Sequence, residues 1–148
     1  MTDEDRRASA EAEIRALIEA RVQAVRGKDV DGATAYFSAD VVSFDVVGPL
    51  YRDGAAGVRE RAAEWFGSFD GPIGYQVGEV HVTAGDDVAF AHYLYRVSAT
   101  LKAGGSVEMW VRTTLCCARR SGGWEIVHEH QSVPFDPATG RASLDLEP

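Results

Sequence analysis

The sequence predicts an α+β fold, with helices in the first half and long antiparallel strands in the second covering one another face to face. Two observations carry this reading. Between Ala8 and Arg26 the apolar residues Ile14, Leu17, Ile18, Val22 and Val25 recur at helical spacing. From Tyr75 onward, β-branched and aromatic residues alternate in runs punctuated by Gly85-Asp86-Asp87, Gly104-Gly105 and Ser121-Gly122-Gly123.

The first helix ends at Gly27. A short second helix, capped near Asp29 or Asp31, carries Val30, Ala33, Tyr36 and Phe37. A strand follows over Val41–Val47, closed by Gly48-Pro49. The third helix spans about Ala55–Phe69 and presents Val58, Ala62, Trp65, Phe66 and Phe69 on one side. Four strands complete the pattern at Tyr75–Thr83, Val88–Leu101, Ser106–Arg119 and Gly123–Val133. Residues 1–134 make one domain, and residues 135–148 read as an irregular acidic tail.

Composition excludes several classes of function. A net charge of −8 is unsuited to nucleic acid, whose phosphates require a basic face, and to anionic membrane surfaces. No apolar run reaches a membrane span, and the N-terminus does not read as a signal peptide, so a cytoplasmic location is expected. Cys116 and Cys117 are adjacent, so a strand points them to opposite faces and both are expected as reduced, packed thiols. No Gly-rich loop opens a helix, so no nucleotide cofactor is expected.

The candidate chemistry lies in a few polar residues set among apolar ones. In Trp124-Glu125-Ile126-Val127-His128-Glu129-His130-Gln131-Ser132, strict alternation places Trp124, Ile126, His128 and His130 on one face. Imidazoles beyond an apolar wall suit a small-molecule pocket. Arg21 breaks the stripe of the first helix; either its stem covers the edge of the stripe, or it carries a fixed charge into a cavity. Asp45 sits in Val41-Val42-Ser43-Phe44-Asp45-Val46-Val47, on a solvated face or as a pocket base. His92 shares a face with Phe90, Leu94 and Arg96, opposite Ala91, Tyr93, Tyr95 and Val97. Trp110, Arg112 and Thr114 face solvent or a partner, unless a β-bulge reverses them.

Together these residues resemble the SnoaL-like and ketosteroid-isomerase-like proteins of the nuclear transport factor 2-like superfamily. The resemblance runs from Ile14 to Pro134, through Tyr36-Phe37-Ser38-Ala39-Asp40-Val41-Val42 and the Gly123–Ser132 segment. It implies a conical barrel: a strongly bent antiparallel sheet wrapped around three helices, with an apolar internal pocket and a homodimer. Asp45 matches the isomerase family's catalytic aspartate, a base that in that family works beside an oxyanion hole of Tyr and a protonated Asp. Here Arg21 stands where the family has its oxyanion tyrosine, and the protonated aspartate's place falls near Leu115.

The expected site therefore comprises Asp45, His128, His130 and Arg21 as catalytic groups. His92, Leu94, Arg96, Tyr36, Trp65, Phe66 and Ile126 are expected to bind the substrate. The expected partner is a small hydrophobic ketone, phenol or polyketide-like molecule, isomerised, cyclised or dehydrated. The alternatives are a non-catalytic binding or assembly module in which Arg21 and the histidines hold a small carboxylate, and a metal site at His128-x-His130 with His92 or Asp45. The resemblance implies no metal. A dimer through the outer sheet face, carrying Tyr93, Tyr95, Val97 and Trp110, completes the expectation.

Overall fold

The computed structural model describes residues 1–121 and 123–148. Helix α1 spans Asp3–Arg26, several residues longer than the apolar stripe alone requires. Thr2 accounts for the extension: its hydroxyl accepts from the Asp5 N–H while Asp5 accepts from the Thr2 N–H, a reciprocal capping box. The stripe residues Ile14, Leu17, Ile18, Val22 and Val25 are all buried, as their spacing requires. Helix α2 is one turn, Val30–Thr34, capped by Asp29, and Tyr36 and Phe37 fall beyond it. Helix α3 covers Ala55–Gly67.

The strands are β1 (Phe37–Phe44), β2 (Arg52–Asp53), β3 (Phe69–Val77), β4 (His81–Ala84), β5 (Val88–Leu101), β6 (Ser106–Arg120) and β7 (Gly123–Ser132). The strand expected at Tyr75–Thr83 is two strands, β3 and β4, with Phe69 opening the first of them and not closing the helix. The sheet runs β2-β1-β7-β6-β5-β3, with β4 also on β5. Two features correct the expected antiparallel barrel. The β1–β7 pair is parallel, and the edge strands β2 and β3 do not meet, so the curved sheet stays open.

The core lies between α1 and the concave face, built from Ile14, Leu17, Ile18 and Phe69 against Ala91, Tyr93, Val111, Leu115 and Ile126. Trp124 ties β7 to α1 by donating to the Glu13 carboxylate at 2.7 Å. The expected irregular tail contains a hairpin, β8 (Phe135–Asp136) with β9 (Arg141–Ala142), held by a 2.7 Å bond from the Ser143 N–H to the Pro134 carbonyl. No described helix is long and apolar enough to cross a membrane.

Candidate functional site: a cavity with two polar clusters

A cavity of about 470 Å³ opens between α1, α3 and the concave face, within the range of small-molecule sites. Its wall is largely apolar, drawing Val25 from α1, Trp65 and Phe66 from α3, and Val97, Leu101 and Met109 from the sheet. Trp65 packs edge-on against Phe69 and Tyr75, and Tyr75 stacks on Tyr95 at 4.7 Å between ring centroids. Ala142 and Leu144 of the C-terminal segment close part of the same cavity.

The first polar cluster is a chain of side chains reaching inward from three elements. Arg21 Nη2 lies 2.8 Å from Glu129 Oε2. The Gln131 amide donates to Glu129 Oε1, and the Tyr95 hydroxyl donates to Gln131 Oε1 at 2.6 Å. Arg21 also donates to the Ala33 carbonyl at 3.4 Å, and its guanidinium lies over the Phe37 ring at 4.9 Å. Burial opposes the charge on Arg21, but the Glu129 carboxylate together with the Tyr93 and Tyr75 phenols outweighs it and holds the guanidinium firmly protonated. Burial pushes the Tyr95 phenol well above its ordinary range, and the charges of Glu129 and Asp45 push the same way. Tyr95 is therefore a neutral hydroxyl on the cavity wall.

The second cluster surrounds Asp45, one residue past the end of β1. Its Oδ2 accepts from Arg61 Nε at 3.0 Å and lies 3.4 Å from Arg52 Nη1. Its Oδ1 accepts from the Val46 N–H at 2.6 Å. In the parallel register Ser43 faces Glu129 and Phe44 faces His130, so the end of β1 delivers Asp45 to the cavity that Glu129 and Gln131 also line. The two clusters thus line one cavity. On the far side of Arg52 and Arg61 lies a shallower polar depression of about 350 Å³, edged by Asp53, Glu60 and Glu64.

A β-bulge corrects the expected placement of the histidines. Opposite the adjacent pair Cys116 and Cys117 of β6, β7 presents His128 and Ile126, leaving Val127 as the extra residue. Alternation changes phase there: Trp124 and Ile126 point inward, then Glu129 and Gln131 do. His128 and His130 face outward, packed edge-on against Phe44 at 4.7 and 5.4 Å. His128 Nδ1 bonds the Val42 carbonyl oxygen at 2.7 Å. His92, Leu94 and Arg96 also lie on the outer face, with His92 stacked on His81 at 5.0 Å. The inward set of β5 is Ala91, Tyr93, Tyr95 and Val97, so those three tyrosine and valine residues leave the expected dimer surface.

Of the residues expected at the site, Arg21, Asp45, Trp65 and Phe66 line the cavity. Tyr36 and Ile126 lie behind its wall, joined by a 2.7 Å bond from the Ile126 N–H to the Tyr36 carbonyl. The metal-ligand set is divided, with the histidines outside the sheet and Asp45 inside. Among the described residues no three His, Cys, Asp or Glu side chains converge as ligands. Glu129, Gln131, Tyr95, Arg52 and Arg61 were not anticipated as site residues. For Tyr95 the signal was present, since the Ala91–Val97 set is the more apolar face of its strand. For Glu129 the signal was Arg21 itself, because a guanidinium in an apolar stripe requires a carboxylate partner.

An open, curved α+β sheet enclosing an apolar cavity with inward polar groups defines a pocket protein of the nuclear transport factor 2-like type. The description of a SnoaL-like domain matches residues 14–136, and the chain belongs to that family. No curated protein matches the chain. Among solved structures it is similar to an NTF2-like protein of unknown function from Pseudomonas putida KT2440. That likeness has 34% identity and a TM-score of 0.87, over 95% of this chain and 98% of that one. An NTF2-like superfamily protein from Salmonella enterica serovar Typhimurium shares the fold at 17% identity and TM-score 0.78, covering 92% and 99%. A ketosteroid isomerase-like protein from Erwinia carotovora atroseptica does so at 22% identity and TM-score 0.70, covering 82% and 93%.

Proposed function

We propose that the protein is an acid–base catalyst, an isomerase, cyclase or dehydratase acting on a hydrophobic ketone, phenol or polyketide-like molecule. One observation carries the reading: Asp45 and the neutral Tyr95 hydroxyl line the same largely apolar cavity. Asp45 takes a proton from carbon beside a carbonyl, and Tyr95 turns its own from Gln131 onto the substrate oxygen as charge develops there. The apolar wall excludes the water that would weaken both interactions. Arg21 serves this chemistry through Glu129 and Gln131, by setting the orientation of Tyr95, and does not meet the substrate as a free cation.

The test needs no knowledge of the natural substrate. β-Tetralone in deuterated water exchanges its α-protons, and nuclear magnetic resonance follows the loss. Wild-type protein should accelerate exchange, and Asp45→Asn should lower the rate by about 10²–10⁴-fold. Equal rates for the two proteins would remove Asp45 as the base.

A second reading, a non-catalytic ligand-binding module, draws on Arg52 and Arg61, which both occupy the carboxylate oxygen that a base would use. It predicts ligand binding with no exchange above background. The version in which Arg21 holds a free carboxylate loses its support, since Glu129 already neutralises that charge.

We further propose that a second copy packs on the outer sheet face, where Phe44, Phe90 and Leu94 are exposed beside Trp110. Light scattering of wild type against Leu94→Asp checks this: a monomer in both cases refutes it.

A further inference from the structure

Within the cavity, charge is not balanced. Its lining holds three guanidiniums, Arg21, Arg52 and Arg61, against two carboxylates, Asp45 and Glu129. Arg21 and Glu129 cancel one another at 2.8 Å. Arg52 and Arg61 share the single carboxylate Asp45, which leaves one positive charge at this end of an apolar space, in a chain of net charge −8. Arg61 spends its Nε on Asp45, and among the described residues none accepts from its two Nη groups. Arg52 spends one Nη on Asp45 and the other on the Gly48 carbonyl at 3.0 Å. Arg52 and Arg61 also line the neighbouring depression, but its carboxylates Asp53, Glu60 and Glu64 do not line the cavity and, among the described residues, form no ion pair with either arginine.

We infer that the cavity takes a hydrophobic monocarboxylate, its apolar body against Trp65 and Phe66 and its carboxylate on the free Nη groups of Arg61, with Arg52 beside it. A planar guanidinium edge presents paired N–H donors that match a carboxylate, and the apolar surroundings strengthen the charge-assisted bond. A neutral ligand of the same shape forgoes this bond. A dianion exceeds the available charge and meets Asp45. This inference names the substrate class of the site proposed above and rests on that reading for its catalytic meaning, while the binding it predicts stands separately.

The experiment is calorimetric titration of the full chain with naphthoate and, in parallel, with its uncharged isostere naphthamide. Naphthoate should bind more tightly by about tenfold or more, the worth of one hydrogen bond between charged groups. Arg61→Gln should erase that preference and leave naphthamide affinity as it was, which also shows that the variant is folded. Arg61→Lys should restore part of the preference. Asp45→Asn should tighten naphthoate, because it removes the competing anion. Equal binding of the two probes by wild type, binding of neither, or parallel weakening of both by Arg61→Gln overturns the inference. Loss of β-tetralone exchange without any acid preference would sink the ligand class and leave Asp45 as the base. An acid preference without exchange would do the reverse.

Discussion

Arg21 on the first helix and Glu129 on the last long strand, 108 residues apart in sequence, form a 2.8 Å ion pair inside the sheet. Each is the reason the other can be buried. A guanidinium in the helix stripe would be expelled without a carboxylate, and a carboxylate on the concave face would be expelled without a cation.

Removing one partner should therefore cost far more than removing both. Glu129→Gln is expected to destabilise the protein by about 3–5 kcal/mol, as for a broken buried pair. The double variant Arg21→Met with Glu129→Leu should recover most of that loss. Urea unfolding of wild type, Glu129→Gln, the single variants Arg21→Met and Glu129→Leu and the double variant measures the coupling, and additive losses would show that the pair is not coupled.

The bulge at Val127 places His130 outside the cavity, and His92 lies outside it too. His92→Ala and His130→Ala should each leave β-tetralone exchange and naphthoate affinity at wild-type levels. If either slows exchange as Asp45→Asn does, the outward placement of the imidazoles is refuted.

Three phenols line the concave face, Tyr93 and Tyr95 buried and Tyr75 half-buried, and burial raises all of them: Tyr75 and Tyr95 well above the ordinary value of 10.0, and Tyr93 to about 12. Above pH 10 the unfolded chain sheds phenolic protons that the folded chain retains. The unfolded state then binds fewer protons, so stability falls as pH rises. Denaturation midpoints should drop progressively between pH 10 and about 12. Phenolate absorbance should show Tyr75, Tyr93 and Tyr95 ionising only above the ordinary phenol range. Ionisation of Tyr93 and Tyr95 at the ordinary phenol value of 10.0 would contradict the burial.

Leu144 closes part of the cavity from the C-terminal segment while remaining half exposed. Leu144→Ala should weaken both naphthyl probes equally, by about 1 kcal/mol or less, since only part of the side chain is withdrawn from water. The charge preference should persist. Calorimetry checks both statements, and unchanged binding of both probes would place the segment away from the ligand.

Much of the architecture was legible because it follows from local rules. The stripe from Ile14 to Val25 is buried as its period demands, and Gly104-Gly105 separates β5 from β6 where turn chemistry demands it. Cys116 and Cys117 face opposite ways, with Cys117 buried and its thiol raised to about 11. Asp45 and Arg21 stood out because each interrupts an apolar pattern, and both reach the cavity.

What the chain alone could not convey was phase and partnership. Alternation predicts which residues share a face only while the register runs unbroken, and one extra residue reverses every side chain beyond it. Whether Val127 is that residue depends on how β7 pairs with Cys116 and Cys117 of β6, which is a property of two strands together. The same holds for charge. The sequence showed Arg21 and Asp45 only as isolated interruptions of apolar patterns, without their partners. Tertiary packing gave Arg21 to Glu129 and Asp45 to Arg52 and Arg61, because ion pairs form between groups that the fold brings within a few ångströms, whatever their separation along the chain.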